Sequence, residues 1–339
     1  MSSMTRFHAR MRRGQSGFSL IELMVSMVIG LLVLGAAFGI FLSNNRAFSA
    51  TQGLGRIQEN SQAAFEMMAR DIREAGGNPC DAELAAGNII AGGPAATATS
   101  NNWFIGWNQP LQGYESSGLT GQVAGTDAVQ VLRLDQGVRT LTTALASSGT
   151  TTLTYTPAEP RFNAGDTIMV CDMRVLGIFR AAGNSGVAGT TGTVSFNGGG
   201  NQCSYFPQPN AAVCSGTPTA YLFPKFSTVS RLQGVRWFVC DPDGDAANGD
   251  SLCRQVDAGG VEEVVPGVQD MQIQYLTDAG YVNAGSLGTV AAWNAVRAVR
   301  ISLTMQETEP GNPAASGSTD GAPIARTFDH IVTLRNRTL

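Results

Sequence analysis

The sequence predicts an α+β protein: a long N-terminal helix, half exposed, packed on an antiparallel β-sheet head with long loops. Three observations predict it. From Phe18 to Leu42 almost every residue is apolar or small, and the single charge is Glu22. From there to about Ala75 the apolar residues keep to one helical face. From Asp127 onward, short β-type segments follow one another, many separated by glycine- and proline-containing turns.

The helix begins as a membrane span. Crossing a bilayer takes about 20 predominantly apolar residues, and no proline precedes Pro79 to break the run. A secretory signal peptide would close its apolar core with a small-residue cleavage site. Here the small residue, Gly17, stands before the run, so a cut there removes a basic tip and leaves the apolar segment in place. That tip carries Arg6, Arg10, Arg12 and Arg13 and no acid. Basic residues stay cytoplasmic, so the N-terminus is expected inside and everything after Leu42 beyond the membrane. Past Leu42, Leu54, Ile57, Ala64, Met68 and Ile72 share a face, with Arg56, Glu59, Arg70 and Asp71 largely elsewhere. Gly76-Gly77-Asn78-Pro79 is the expected stop. Gly30, Gly35 and Gly39 weaken the apolar helix, and Gly35 to Gly39 has the small-xxx-small spacing of packed membrane helices. The expected divisions are therefore 1–17 (leader), 18–42 (apolar helix), 43–76 (amphipathic helix) and 77–339 (head).

Glu22 is the anomaly in the span. A carboxylate at the bilayer centre costs about 2.5–3.5 kcal/mol on insertion scales, and such residues mark function. The cost is lower near the end of the span, where Glu22 sits. A snorkelling acid is the plain reading, and pairing with a cation is the sharper one. If the chain is cut after Gly17, the new amino group of Phe18 lies one helical turn away, or belongs to a neighbouring subunit.

The residues Arg12-Arg13-Gly14-Gln15-Ser16-Gly17-Phe18-Ser19-Leu20-Ile21-Glu22-Leu23-Met24 closely resemble the class III leader junction of type IV pilins and type II secretion pseudopilins. The resemblance implies that a prepilin peptidase cuts after Gly17 and that the new N-terminus, Phe18, is methylated. It also implies that Glu22 neutralises a neighbour's amino terminus during assembly. The implied fold is the type IV pilin fold, a long helix on an antiparallel sheet.

Residues 80–125 read as irregular, with an aromatic group at Trp103, Phe104 and Trp107 that caps a core edge or lines a partner or sugar surface. The strand candidates are Ala128–Leu134, Thr151–Thr156, Thr167–Cys171, Val175–Phe179, Thr193–Phe196 and Ala220–Phe223. They continue with Gly234–Cys240, Leu252–Val256, Met271–Leu276, Val296–Met305 and Phe328–Leu334. Asn184–Gly200 and Pro310–Pro323 read as low-complexity loops. The order of the later segments, through Val235-Arg236-Trp237-Phe238-Val239 to the closing Leu334-Arg335-Asn336-Arg337, resembles minor pilins of the PilW family and, more distantly, J-class pseudopilins. That implies a subunit which primes pilus assembly in or at the tip of the fibre and supports twitching motility and adhesion. Its implied partners are other minor pilins, the major pilin, a non-pilin tip adhesin and the inner membrane, with the head facing the periplasm and later the cell surface. A J-class pseudopilin and a surface-binding tip module are the alternatives.

Cys80, Cys171, Cys203, Cys214, Cys240 and Cys253 all follow the span. An even number in an exported segment points to disulfides, and no C-x-x-C spacing supports zinc. Six cysteines allow many connectivities. Cys203 with Cys214 and Cys240 with Cys253 close short loops, which leaves Cys80 with Cys171.

Other chemistry finds little material. Taking the four leader arginines from 22 basic residues leaves 18 against 26 acids, a net charge of −8. Such a surface is a poor match for a phosphate backbone, so nucleic acid is not an expected partner. Beyond the leader the chain has one histidine, His330, too few for a histidine-based triad or multi-histidine metal site. Neither a catalytic residue, a metal site nor a cofactor is expected. Asp241-Pro242-Asp243-Gly244-Asp245 has the look of a calcium loop, but its glycine is fourth rather than sixth and Leu252 stands where the EF-hand has glutamate.

Overall fold

The computed structural model describes residues 17, 19–80, 84, 86–92, 103–116, 118–135, 137–147, 149–208, 214, 220–242, 244, 250–307 and 324–335. Helix α1 (Leu20–Arg73) runs 54 residues, about 81 Å at 1.5 Å per residue. Its N-cap is Ser19, whose hydroxyl accepts the Glu22 amide at 3.3 Å. It ends at a Glu74 C-cap, and Gly76 then turns the chain at φ +70°, a conformation that suits glycine.

The head follows in chain order as β1 (Ala86–Asn88), a 3-10 turn (Trp103–Ile105), β2 (Leu111–Tyr114), β3 (Ala128–Leu134), β4 (Arg139–Leu141), β5 (Thr152–Thr156) and β6 (Thr167–Cys171). Then come β7 (Leu176–Arg180), β8 (Gly186–Ala188), β9 (Thr191–Ser195), β10 (Thr228–Cys240), β11 (Ser251–Val256), β12 (Val261–Pro266) and β13 (Val268–Thr277). The last elements are β14 (Gly280–Val282), the short helix α2 (Val290–Asn294), β15 (Ala298–Gln306) and β16 (Ala325–Thr333).

Strand β10 is the spine of the head. Its first residues, Thr228–Arg231, pair with β6 on one side, and Thr228 and Val229 pair with β4 on the other. Its remainder pairs with β3 and β11. One 12-stranded sheet therefore carries two sub-sheets that share a strand, and a separate antiparallel sheet runs β14-β13-β15-β16. Each sub-sheet has its own core. Helix α1 packs its second half, from Ile57 to Ile72, over β3, β10, β13 and β15, around Trp237, Met271 and Ile301. The strands inserted between β3 and β10 close over an aromatic core of Phe179, Phe196, Phe206 and Phe223.

Four expectations need correction. The head is not wholly antiparallel, because β1 runs parallel to β7. The chain leaving α1 reaches the outer edge of that sheet in the direction of β7. The irregular stretch 80–125 also contains β1, β2 and the 3-10 turn. Low-complexity Asn184–Gly200 forms the β8–β9 hairpin, since alternate burial of Gly192 and Val194 is enough to seat β9 beside β5. Ala220–Phe223 makes only an isolated bridge, Pro207 to Ala220. Pro310–Pro323 lies outside the described residues. The cysteines pair as Cys80–Cys171, Cys203–Cys214 and Cys240–Cys253, with Cα separations of 6.2, 5.4 and 5.8 Å, all within the range a disulfide spans.

Candidate functional site: an exposed apolar helix clamped to the head

Among the described residues, no other element packs on the first half of α1. From Leu20 to Phe41 its large apolar side chains are exposed, Leu20 at 80% and Leu32 at 70%. Gly30, Gly35 and Gly39 have no atom near the position a Cβ would take. An apolar surface this long does not stay in water. The helix is long and apolar enough to cross a membrane.

Glu22 stands in the first turn of this helix, at the third helical position after the Ser19 cap. Ser-x-x-Glu is the capping-box spacing, and an acid there also complements the positive end of the helix dipole. Glu22 is exposed and faces a shallow groove formed with Ile21, Val25 and Ile29. Gly17 is exposed as well. Phe18 and the leader residues before Gly17 lie outside the described residues.

The second half of α1 is held by charge as well as by apolar contact. Asp71 is buried at 3% exposure, contrary to the polar-face position its sequence suggests. Its carboxylate accepts a hydrogen bond from Trp237 Nε1 at 2.9 Å and forms ion pairs with Arg133, whose Nε lies 3.0 Å away, and with Arg254, whose Nη2 lies 3.6 Å away. Arg133 also reaches Glu74 at 3.4 Å and donates to Gln233 at 2.7 Å. One carboxylate of the helix thus collects a hydrogen bond from β10 and two cations, one from β3 and one from β11. The sequence signal for this was present but easy to miss: Arg133 and Arg254 are the only charged residues of β3 and β11. Nearer the membrane, Arg56 pairs with Glu307 at 2.7 Å. The Glu307 carboxylate lies so close to the helix that a Cβ on Gly53 would sit 2.1 Å from its Oε2, so a side chain there would make that carboxylate shift. Head contact therefore begins near Gly53 and tightens toward Asp71.

Asp127 joins the two sheets beneath the helix. Its carboxylate accepts the Ile273 amide at 2.8 Å, and its own amide donates to the Met271 carbonyl at 2.7 Å. Burial raises its pKa, outweighing the Ile273 hydrogen bond, which lowers it. The folded chain therefore holds this proton more tightly than the unfolded chain. The stability it contributes is complete below the unfolded carboxylate value, about 3.9, and is lost as pH climbs through the raised folded value. Asp127→Asn keeps an acceptor for Ile273 and removes the titration. It is expected to flatten part of the fall in Tm as pH rises above about 4, read by thermal melts of both proteins across the acidic range.

The remaining sequence candidates settle as structure. Trp103 and Trp107 are 4% and 8% exposed, which withdraws them as a sugar- or partner-lining surface. Arg236 lies over the Trp103 ring at 4.0 Å. His330 stacks on Phe65 of the helix, ring centroids 5.0 Å apart. Asp241 accepts the Gly244 amide at 2.9 Å, a local turn contact. Asp243 and Asp245 lie outside the described residues, and no acid, histidine or cysteine cluster suited to a metal occurs among the described ones.

Residues 12–38 match the family model described as the prokaryotic N-terminal methylation motif. The match supports a type IV pilin-like or pseudopilin-like protein. The matched residues run from the leader tip into the exposed apolar helix, so the motif and the unpartnered half of α1 are one continuous feature. The match implies processing by a prepilin peptidase and assembly with other pilins, and it points to a structural rather than an enzymatic role. With the apolar helix it fits a membrane-anchored protein whose head lies outside the cytoplasm. No curated protein and no solved structure matches the pilin-like chain significantly.

Proposed function

We propose that this protein is a minor pilin, similar to the PilW family, that primes type IV pilus assembly and is incorporated in or at the tip of the fibre. The observation that carries the proposal is the division of α1. Its first half is apolar, exposed and introduced by the methylation motif, and its second half is locked to a large disulfide-bonded head. A helix free at one end and clamped at the other can pass from bilayer to filament core without refolding the head. Cleavage after Gly17 exposes the amino group of Phe18. Glu22 then supplies the countercharge that lets a neighbour's amine enter an apolar bundle, where an unpaired charge is costly. Other minor pilins and the major pilin are the partners, and twitching motility and adhesion are the cellular outputs. Before assembly the protein spans the inner membrane once, N-terminus inside.

Glu22→Ala tests the mechanism. Processing should continue, because the cut lies upstream, while incorporation into sheared fibres falls at least about tenfold, the equivalent of one lost charge pairing of 1.4 kcal/mol or more. Mass spectrometry of the membrane fraction should show a chain beginning at methylated Phe18 in both proteins. Fibre incorporation unchanged by Glu22→Ala would refute the charge pairing, and a chain beginning elsewhere would refute the processing. Loss of twitching in a deletion strain supports the pilus. Loss of exoprotein secretion alone would assign the chain to a secretion pseudopilus instead.

A further inference from the structure

The four-stranded sheet ends at β16, whose inner side carries the ladder to β15 and whose outer side pairs with no strand among the described residues. Beside that free edge runs the flank of α1 that carries Gln62, Glu66, Arg70 and Arg73. Between them lies a groove of about 1020 Å³. Its floor is apolar where Phe65, Ala69 and Phe328 meet. Its charges are unevenly satisfied. Glu66 accepts from Gln62 at 3.2 Å, Glu74 is held by Arg133, and Asp329 accepts from the Ser302 hydroxyl. Arg70, Arg73 and Arg335 are exposed and have no ion-pair partner among the described residues.

We propose that an extended, acidic segment of a partner chain adds to β16 as a further strand, with its carboxylates on Arg70, Arg73 and Arg335. Main-chain pairing along a free edge supplies affinity in such additions, and alternate side chains supply specificity. An added strand presents every second residue to the floor between Phe65 and Phe328. Its carboxylates then meet Arg70, Arg73 and Arg335, which form no ion pair with Glu66, Glu74 or Asp329 of the same groove. Arg326 and Asp329 on the edge strand discourage indiscriminate pairing, which otherwise threatens any open edge. The last-turn position of Arg70 and Arg73 also suits the helix dipole. That role does not account for Arg335 or for the groove. The proposal deepens the assembly reading by giving the chemistry of one partner surface.

The probe is a labelled peptide of about ten residues alternating Glu and Val, with a Lys-Val peptide as control, added to the full chain in detergent micelles. The Glu-Val peptide is expected to bind and to protect the backbone amides of 325–333 from hydrogen exchange, and the Lys-Val peptide to do neither. Arg70→Glu with Arg73→Glu should weaken binding by at least about tenfold, while Arg70→Lys with Arg73→Lys keeps most of it. An unchanged melting temperature in both double variants separates lost binding from lost fold. Equal binding of the two peptides, or binding without protection of 325–333, would overturn the proposal. Self-association of the chain that Arg70→Glu with Arg73→Glu abolishes would overturn it too, by naming a second copy as the occupant. The assay needs neither cleavage at Gly17 nor a fibre. Its failure leaves the pilin reading standing, and failure of the Glu22 test leaves the groove standing.

Discussion

Asp71→Ala is expected to destabilise the head by about 3–5 kcal/mol, the range seen when one member of a buried charge cluster is removed. The loss comes from what is left behind. Arg133, with a side chain only 10% exposed, keeps its charge and loses the carboxylate 3.0 Å away. The Trp237 indole, 1% exposed, loses its partner as well. A buried donor without an acceptor carries the full desolvation penalty. Asp71→Asn retains an oxygen for Trp237 and drops only the charge, so it should fall between wild type and alanine. Denaturant titration of the full chain in micelles, followed by tryptophan fluorescence, measures both. A loss below about 1 kcal/mol for alanine would show that the cluster does not hold the helix to the head. The expected structural consequence is local: α1 should loosen from about Gly76 back toward Ile57, while the Phe206 core stays closed.

Cys80→Ser together with Cys171→Ser is expected to cost about 4 kcal/mol in the oxidised protein. A crosslink of sequence separation 91 removes much loop-closure freedom from the unfolded chain. Cys203→Ser with Cys214→Ser, separation 11, should cost less, about 3 kcal/mol. Position adds to the difference. Cys80 follows directly on the helix terminus, and Cys171 ends β6 in the inserted half of the head, so this bond ties the two halves together. Its loss should expose the segment between α1 and β1 to protease before the rest of the head. Equal melting temperatures for wild type and the 80/171 variant would contradict this.

The helix was legible because its physics is local. An unbroken apolar run without proline, a serine cap and a Gly-Gly-Asn-Pro stop are each decided within a few residues, and α1 ends within two or three residues of where those signals put it. β3 and β6 were equally plain, since buried strands in a sheet interior read as continuous apolar stretches. The β8–β9 hairpin and β12 were not. Gly186-Val187-Ala188 has almost no apolar pattern of its own, and Val261-Glu262-Glu263 is held by its ladder to β11 rather than by burial. The parallel pairing of β1 with β7 had no local signal at all, because direction follows from where the chain arrives.

The first half of α1 and the junction before it are thus a property of the sequence. A junction at Gly17-Phe18, one acid at Glu22 and an apolar rod are short-range features that need no head to define them. The clamp on Asp71, the outer edge of β16 and the groove beside it belong to the tertiary structure alone. They bring together residues as distant as Asp71, Arg133, Trp237 and Arg254, or Arg70 and Arg335. Burial and charge pairing at such separations depend on the path of the whole chain, and no window of sequence contains it.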